Sequence, residues 1–172
     1  MDQQRCPGTR AGVVDLEFAR VDDVRWLTSE EQTVWRAYLD VSRLLTERLQ
    51  HQLVEDSDLS LAEYEILVQL SETPGRQLRM SELASRAVHS RSRLTHTVRR
   101  MQERGLVRRQ ASPEDGRGVL CLLTSEGFDT LVAAAPGHVE AVRGGLFDPL
   151  DSSEVTALGG AMEKVRGRLR EG

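Results

Sequence analysis

The fold is predicted most directly from residues 79–127, RMSELASRAVHSRSRLTHTVRRMQERGLVRRQASPEDGRGVLCLLTSEG. The first part of this stretch predicts a short helix over about 81–87 and a second that begins at the cap Ser90. Gly105 ends the second helix, because glycine readily takes the left-handed conformation that closes many helices. Two short helices joined by a tight turn form a helix-turn-helix.

A β-hairpin is expected directly after the second helix. Residues 106–110 and 119–123 are short β-prone runs on either side of ASPEDGRG, whose Pro, Asp and Gly residues favour a turn. At its tip, Asp115 and Arg117 flank Gly116. An arginine there can enter the narrow minor groove of DNA, where negative potential is concentrated, and Asp115 would orient Arg117 or its loop. The alternative is a surface turn with a chance D-x-R sequence.

A helix over residues 90–104 would have an apolar and a polar side. Its apolar side carries Leu94, Val98 and Met101, at the spacing that binds a helix to its own domain. The opposite side carries Ser92, Thr95, His96, Arg99 and Arg100, with Arg93 at its edge. An α-helix fits the major groove of DNA, where arginine can bridge guanine O6 and N7. The alternative is an amphipathic helix whose arginines only keep its exposed side hydrated.

The chain is acidic overall, but its charge is unevenly distributed. It has 172 residues and a formal net charge of −4. Between Arg76 and Arg117, eleven arginines stand against four acidic residues, a local balance of +7 that leaves −11 for the remainder. Such segregation is expected where one face of a protein meets a polyanion.

Capping boxes mark the beginnings of three further helices. In this motif a hydroxyl or carboxylate and a Glu side chain satisfy backbone amides that lack a partner in the first turn. The motif occurs at Thr28–Glu31, Ser60–Glu63 and Asp151–Glu154. We expect a long helix to about Val54, a helix to about Leu70 and a last helix near the C-terminus. A fourth should follow Thr124, run over about 125–144 and bend at Pro136.

Two helices carry more apolar surface than their own domain needs. The long first helix has two apolar stripes and is expected to be buried on two sides: Val34, Tyr38, Val41 and Leu45, with Trp35, Leu39, Leu49 and Leu53 beside them. The last helix repeats apolar residues at three- and four-residue steps: Val155, Leu158, Met162, Val165 and Leu169. This repeat suggests a partner helix.

Several classes of function are not supported. The chain contains no G-x-S-x-G, glycine-rich phosphate loop or H-E-x-x-H sequence, so no enzymatic activity and no cofactor are predicted. Its four histidines are scattered, and although His51 and His138 could approach one another, no metal site is predicted. Cys6 and Cys121 do not suggest a disulfide. With neither a membrane-spanning run nor a signal peptide, a cytoplasmic location is expected.

Residues 79–127 resemble the winged helix-turn-helix of the MarR family of bacterial transcription regulators. The resemblance rests on S-E-L-A, S-R-S-x-L-T-x-x-V, R-G-L-V and the D-x-R wing, in this order. It implies a mainly α fold with a small β-hairpin wing. A single domain would span 28–172, with dimerisation helices in 28–56 and 124–172 around a DNA-binding lobe, 57–123. Residues 1–27 lie outside the resemblance, and their apolar residues, which follow no period for long, predict a tail that is partly ordered at most.

The resemblance also implies a function. We expect a sequence-specific, ligand-responsive homodimeric repressor that binds a pseudo-palindromic double-stranded operator, with half-sites about 34 Å apart. The residues at DNA-contacting positions of the family are Ser90, Ser92, Arg93, Thr95, His96, Arg99 and Arg117. The alternative is a winged-helix module that binds proteins and tolerates loss of Arg99 and Arg117.

Many relatives release DNA when a small, often aromatic or phenolic, molecule binds between the dimerisation and DNA-binding parts. Such an effector must favour a dimer geometry that no longer matches the groove spacing. Candidate walls for its pocket are Trp35, Tyr38, Leu39, Tyr64 and Leu67, although aromatic residues at helical spacing more often belong to a core.

Overall fold

The computed structural model describes residues 24–86, 91–112 and 118–171, without the side chain of Arg91. The helices are α1 Ser29–Ser57, α2 Leu61–Ser71, α3 Met80–Arg86, α4 Arg91–Glu103, α5 Ser125–Val142 and α6 Ser152–Arg170. The strands are β1 Gln77–Arg79, β2 Val107–Ala111 and β3 Val119–Leu123. A 3-10 turn, Pro74–Arg76, precedes β1, and a π-helical turn, Arg143–Phe147, follows α5. The described residues divide within α1, after Ala37, into two compact units.

The capping boxes predicted from the sequence are confirmed. The Thr28 amide donates to Glu31 Oε2 at 2.8 Å, and the Glu31 amide donates to Thr28 Oγ1 at 3.1 Å. The same reciprocal pair opens α2 at Ser60, and Asp151 accepts from two amides of α6. These bonds satisfy amides that the first turn of a helix leaves without partners.

The predicted hairpin forms, and a third strand joins it. β3 lies in the middle of an antiparallel sheet, with β2 on one side and β1 on the other. β1 was missed by the sequence analysis, because three residues are too few to show a strand period. Leu78 of β1 pairs with Cys121 of β3, and both side chains are buried.

The apolar side of α4 is packed into the core as predicted. Leu94, Val98 and Met101 are at most 2% exposed, and they share a buried cluster with Leu67 of α2 and Leu83 of α3. Burying such side chains fully contributes about 1.5–3 kcal/mol each relative to exposure. Helix α4 is therefore held in the core by one side, and its other side faces solvent.

Glycine conformation ends α4 where the sequence indicated. Gly105 has φ +77°, and the Leu106 amide donates to the Met101 carbonyl at 3.0 Å. Thr124 Oγ1 donates towards the Gly105 carbonyl at 2.7 Å, so the end of α4 is held by the residue that caps α5.

The ends of two helices and the burial of one differ from the sequence-based expectation. α5 ends at Val142 and passes into the π-helical turn, whereas the sequence predicted a helix to about Gly144. Pro136 lies inside α5. α1 continues to Ser57, and in the single chain its only buried residue is Leu53. The predicted burial of α1 on two sides is therefore not found in one copy of the described chain.

Candidate nucleic-acid interface

Five predicted DNA-contacting residues lie together on the exposed part of α4. Ser92, Arg93, Thr95, His96 and Arg99 are all exposed. They project from a helix whose opposite side is anchored in the core, so their backbone positions are fixed. Hydroxyl, imidazole and guanidinium groups on one side of an α-helix are the donors that base edges and phosphates accept.

Arg99 is held only loosely by its own helix. Its Nε lies 3.7 Å from Glu103 Oε1, one turn further along, and both side chains are more than half exposed. Exposed ion pairs of this kind contribute only about 0–1 kcal/mol. The guanidinium of Arg99 can therefore exchange this partner for a stronger one at small cost.

The sequence pattern predicts Arg100 on the same exposed side of α4 as Arg99, but the structure pairs Arg100 with another helix. Its Nη2 lies 3.6 Å from Oε1 of Glu63, a carboxylate on α2 that is 1% exposed. Arg104 Nη1 approaches the same oxygen at 3.4 Å. Arg100 of α4 and Arg104, directly after it, thus join the C-terminal end of α4 to α2. Sequence analysis missed these pairs because helical periodicity describes one helix and carries no information on partners elsewhere in the chain.

The strand that follows α4 adds two exposed arginines that were not among the predicted site residues. Arg109 Nε donates to Gln102 Oε1 of α4 at 2.9 Å, and Arg108 Nη1 donates to Gln110 Oε1 at 2.8 Å. The glutamine amides are neutral, so these bonds orient the guanidinium groups and leave their charge in place. Arg109 therefore continues the positive surface of α4 onto β2, whereas Arg108 projects from the opposite face of the strand.

Three predicted site residues lie outside the described part of the chain: Ser90, Asp115 and Arg117. Their roles stay predictions. The described strands β2 and β3 bracket residues 113–117, since Ala111 pairs with Val119 and the Ser112 amide donates to the Gly118 carbonyl at 2.8 Å.

A cavity of about 400 Å³ lies between α1, α2 and α5. The ring of His138 lies 4.3 Å from that of Tyr64, and burial lowers the pKa of His138. His138 Nδ1 and Gln69 Oε1 are buried and have no hydrogen-bond partner among the described residues. Of the predicted pocket walls, Tyr64 lines this cavity and Leu67 is fully buried in the core. Trp35, Tyr38 and Leu39 are each about half exposed.

Other candidate sites lack the necessary geometry. His51 is exposed and pairs with Glu55 at 3.1 Å, and no group of three potential metal ligands occurs in the described ranges. Burial raises the pKa of the Cys121 thiol to about 12, which disfavours the reactive thiolate. None of the described helices is long and apolar enough to cross a membrane.

Comparison with known proteins identifies the fold. Residues 57–118 match the family model described as MarR family. The MarR regulator Sco3205 of Streptomyces coelicolor, solved in complex with DNA, is 46% identical, with a TM-score of 0.80 over 84% of this chain and 91% of that one. AbsC, a MarR regulator of the same organism, is 42% identical, with a TM-score of 0.80 over 87% of this chain and all of AbsC.

A curated relative matches over a shorter range. The transcriptional regulator HosA of Escherichia coli O111:H- is 36% identical over 91 residues, which cover 53% of this chain and 64% of HosA. The chain thus spans just under two thirds of that relative. Both Streptomyces regulators, by contrast, align over at least nine-tenths of their length at more than 40% identity. The chain therefore belongs to the MarR family of transcriptional regulators.

Proposed function

We propose that this protein is a homodimeric repressor that binds a pseudo-palindromic operator through helix α4. The observation that carries the proposal is the exposed group of Ser92, Arg93, Thr95, His96 and Arg99 on a helix anchored in the core. A second support is Sco3205, whose structure was solved in complex with DNA.

Two copies of α4 are needed to read a pseudo-palindrome, with half-sites about 34 Å apart along the duplex. The apolar residues of α1 and α6 support such a dimer, because a single copy leaves many of them in solvent. Val34, Val41, Leu44, Met162, Val165 and Leu169 are all between 47% and 77% exposed. Exposed apolar surface of this extent is typical of a protein interface.

The wing would complete each half-site. In the proposed complex Arg117, oriented by Asp115, enters the minor groove beside the major groove that α4 reads. Arg109 on β2, bonded to Gln102 of α4, extends the positive surface towards the adjoining phosphates.

Effector control is also part of the proposal. The cavity beside Tyr64 and His138 is large enough for a small aromatic molecule. Gln69 and His138 line this cavity, and their polar side chains suit a ligand that carries a hydroxyl group, such as a phenol. No catalytic role is proposed, and a repressor of bacterial genes would act in the cytoplasm.

Substitution of the two DNA-facing arginines tests this function. Arg99→Ala and Arg117→Ala should each weaken operator binding while the dimer stays folded, and Arg99→Ala should also relax sequence preference by about 1–3 kcal/mol at one position. The measurement is an electrophoretic mobility shift with the DNA upstream of the protein's own gene, across a salt series with competitor DNA. Repetition with a panel of phenols tests the effector.

Arg43→Ala is the matched control. Arg43 also forms an i,i+4 pair with a glutamate, and its side chain is 57% exposed, against 58% for Arg99. This variant should bind the operator as the parent does. Unchanged affinity in both Arg99→Ala and Arg117→Ala would exclude the proposed docking and favour the protein-binding alternative.

A further inference from the structure

One carboxylate, that of Glu63, joins two helices. It is the third residue of α2 and is 1% exposed. Its Oε2 accepts hydrogen bonds from the amide and the hydroxyl of Ser60, each at 2.8 Å. Its Oε1 faces Arg104 Nη1 at 3.4 Å and Arg100 Nη2 at 3.6 Å. One oxygen therefore caps α2, and the other holds α4.

The two functions of Glu63 have different chemical requirements. A capping box works with either Glu or Gln, because each offers an oxygen to the backbone amide. Binding of two guanidinium groups requires the negative charge, and a buried charge without such partners is strongly destabilising. Glu63 therefore supplies a negative charge that the cap of α2 does not need but that Arg100 and Arg104 do.

Of the arginines paired with Glu63, Arg100 lies on a flank of α4 and Arg104 directly follows the last residue of that helix. Arg100 and Arg104 are four residues apart and share that flank, whereas Arg99 projects about 100° away. The side chain of Arg100 is nevertheless 55% exposed, so it has room to turn towards solvent. Arg104 is fixed more firmly, since its Nη2 also donates to the Asp58 carbonyl at 2.7 Å.

We propose that Glu63 is a positioning residue for DNA recognition. It fixes the C-terminal half of α4 against α2, and it keeps Arg100 from binding phosphate. Phosphate contacts strengthen binding to every sequence alike, so an arginine held back from them favours discrimination between the operator and other DNA. This inference rests on the proposed DNA-binding function.

Glu63→Gln separates the two roles, because glutamine keeps the cap and removes the charge. In this variant Arg100 is released, and one more phosphate contact forms per copy. The slope of log K against log salt on random-sequence duplex should then steepen by about 0.9 per copy. The ratio of operator to random-sequence affinity should fall. In an Arg100→Ala background, Glu63→Gln should leave the salt slope unchanged.

Glu65→Gln is the matched control, since Glu65 is an exposed glutamate of the same helix. If the parent protein binds no DNA, the proposed function fails. If the parent binds but Glu63→Gln has the salt slope and affinity ratio of Glu65→Gln, the inference is overturned. Arg100→Ala alone gives an answer even if Glu63→Gln does not fold. Arg100→Ala should keep the parent's slope of log K against log salt. A slope shallower by about 0.9 per copy would show that Arg100 already contacts phosphate in the parent.

Discussion

Gly127 is the third residue of α5 and lies against the end of α4. Its amide donates to the Thr124 hydroxyl at 2.9 Å, and the same hydroxyl lies 2.9 Å from the Leu106 carbonyl oxygen. A Cβ at this position would lie 2.0 Å from that oxygen and 2.9 Å from Leu123 Cδ1. Backbone and core would both have to move to admit a methyl group.

Gly127→Ala should therefore destabilise the protein by about 1–3 kcal/mol, the usual cost of forcing extra volume into a packed site. Denaturant unfolding at fixed protein concentration measures the effect. A midpoint equal to that of the parent would show that the junction between α4 and α5 is looser than the structure indicates.

Single residues could be predicted from the sequence where one helix determines their environment. Leu94, Val98 and Met101 follow a helical period, and their burial was expected from it. Arg99 and Arg100 could not be distinguished in this way, because neighbouring positions on one wheel look equally exposed. Only the fold brings Glu63 of α2 to the side of α4 that Arg100 occupies.

Helix α6 contains glycines that no contact among the described residues of one chain explains. Within the part of the chain that the structure describes, a Cβ at Gly160 would meet no atom within 4 Å. Gly160 also lies on the side of α6 opposite Val165 and the other residues of its apolar repeat. Glycine inside a helix costs about 1 kcal/mol relative to alanine, because it loses more backbone freedom on folding.

Gly160→Ala should therefore raise the free energy of unfolding by roughly 0.5–1 kcal/mol. Thermal and denaturant unfolding at one protein concentration would measure this gain. Gly167→Ala, in the last turn of the same helix, should gain less, because helical order is weaker at a helix end. A loss of stability in Gly160→Ala would indicate that this side of α6 is closely packed in the dimer.

Elements were predictable where their signals are local. The capping boxes located three helix beginnings, and turn residues located the hairpin. β1 was missed because its three residues become a strand only by pairing with β3, far along the chain. The π-helical turn after α5 was missed because the sequence pattern predicted only that a helix ends near residue 144.

The apolar repeat of α6, formed by Val155, Leu158, Met162, Val165 and Leu169, predicts a dimer. Val165 is 57% exposed in the single chain, so an aspartate there should cost a monomer little. In a dimer interface the same charge would be buried without a partner, at a cost of several kcal/mol. Val165→Asp, and equally Leu158→Asp, should therefore split or unfold the dimer and abolish cooperative binding to two half-sites.

The molar mass in solution tests this prediction directly. Light scattering on a sizing column should give about twice 19.2 kDa for the parent and 19.2 kDa, or an unfolded chain, for Val165→Asp. Thr156→Asp is the matched control, because Thr156 is β-branched and exposed on the opposite side of α6. It should stay dimeric. A dimeric Val165→Asp that still binds the operator would place the interface elsewhere and leave the apolar repeat of α6 without a partner.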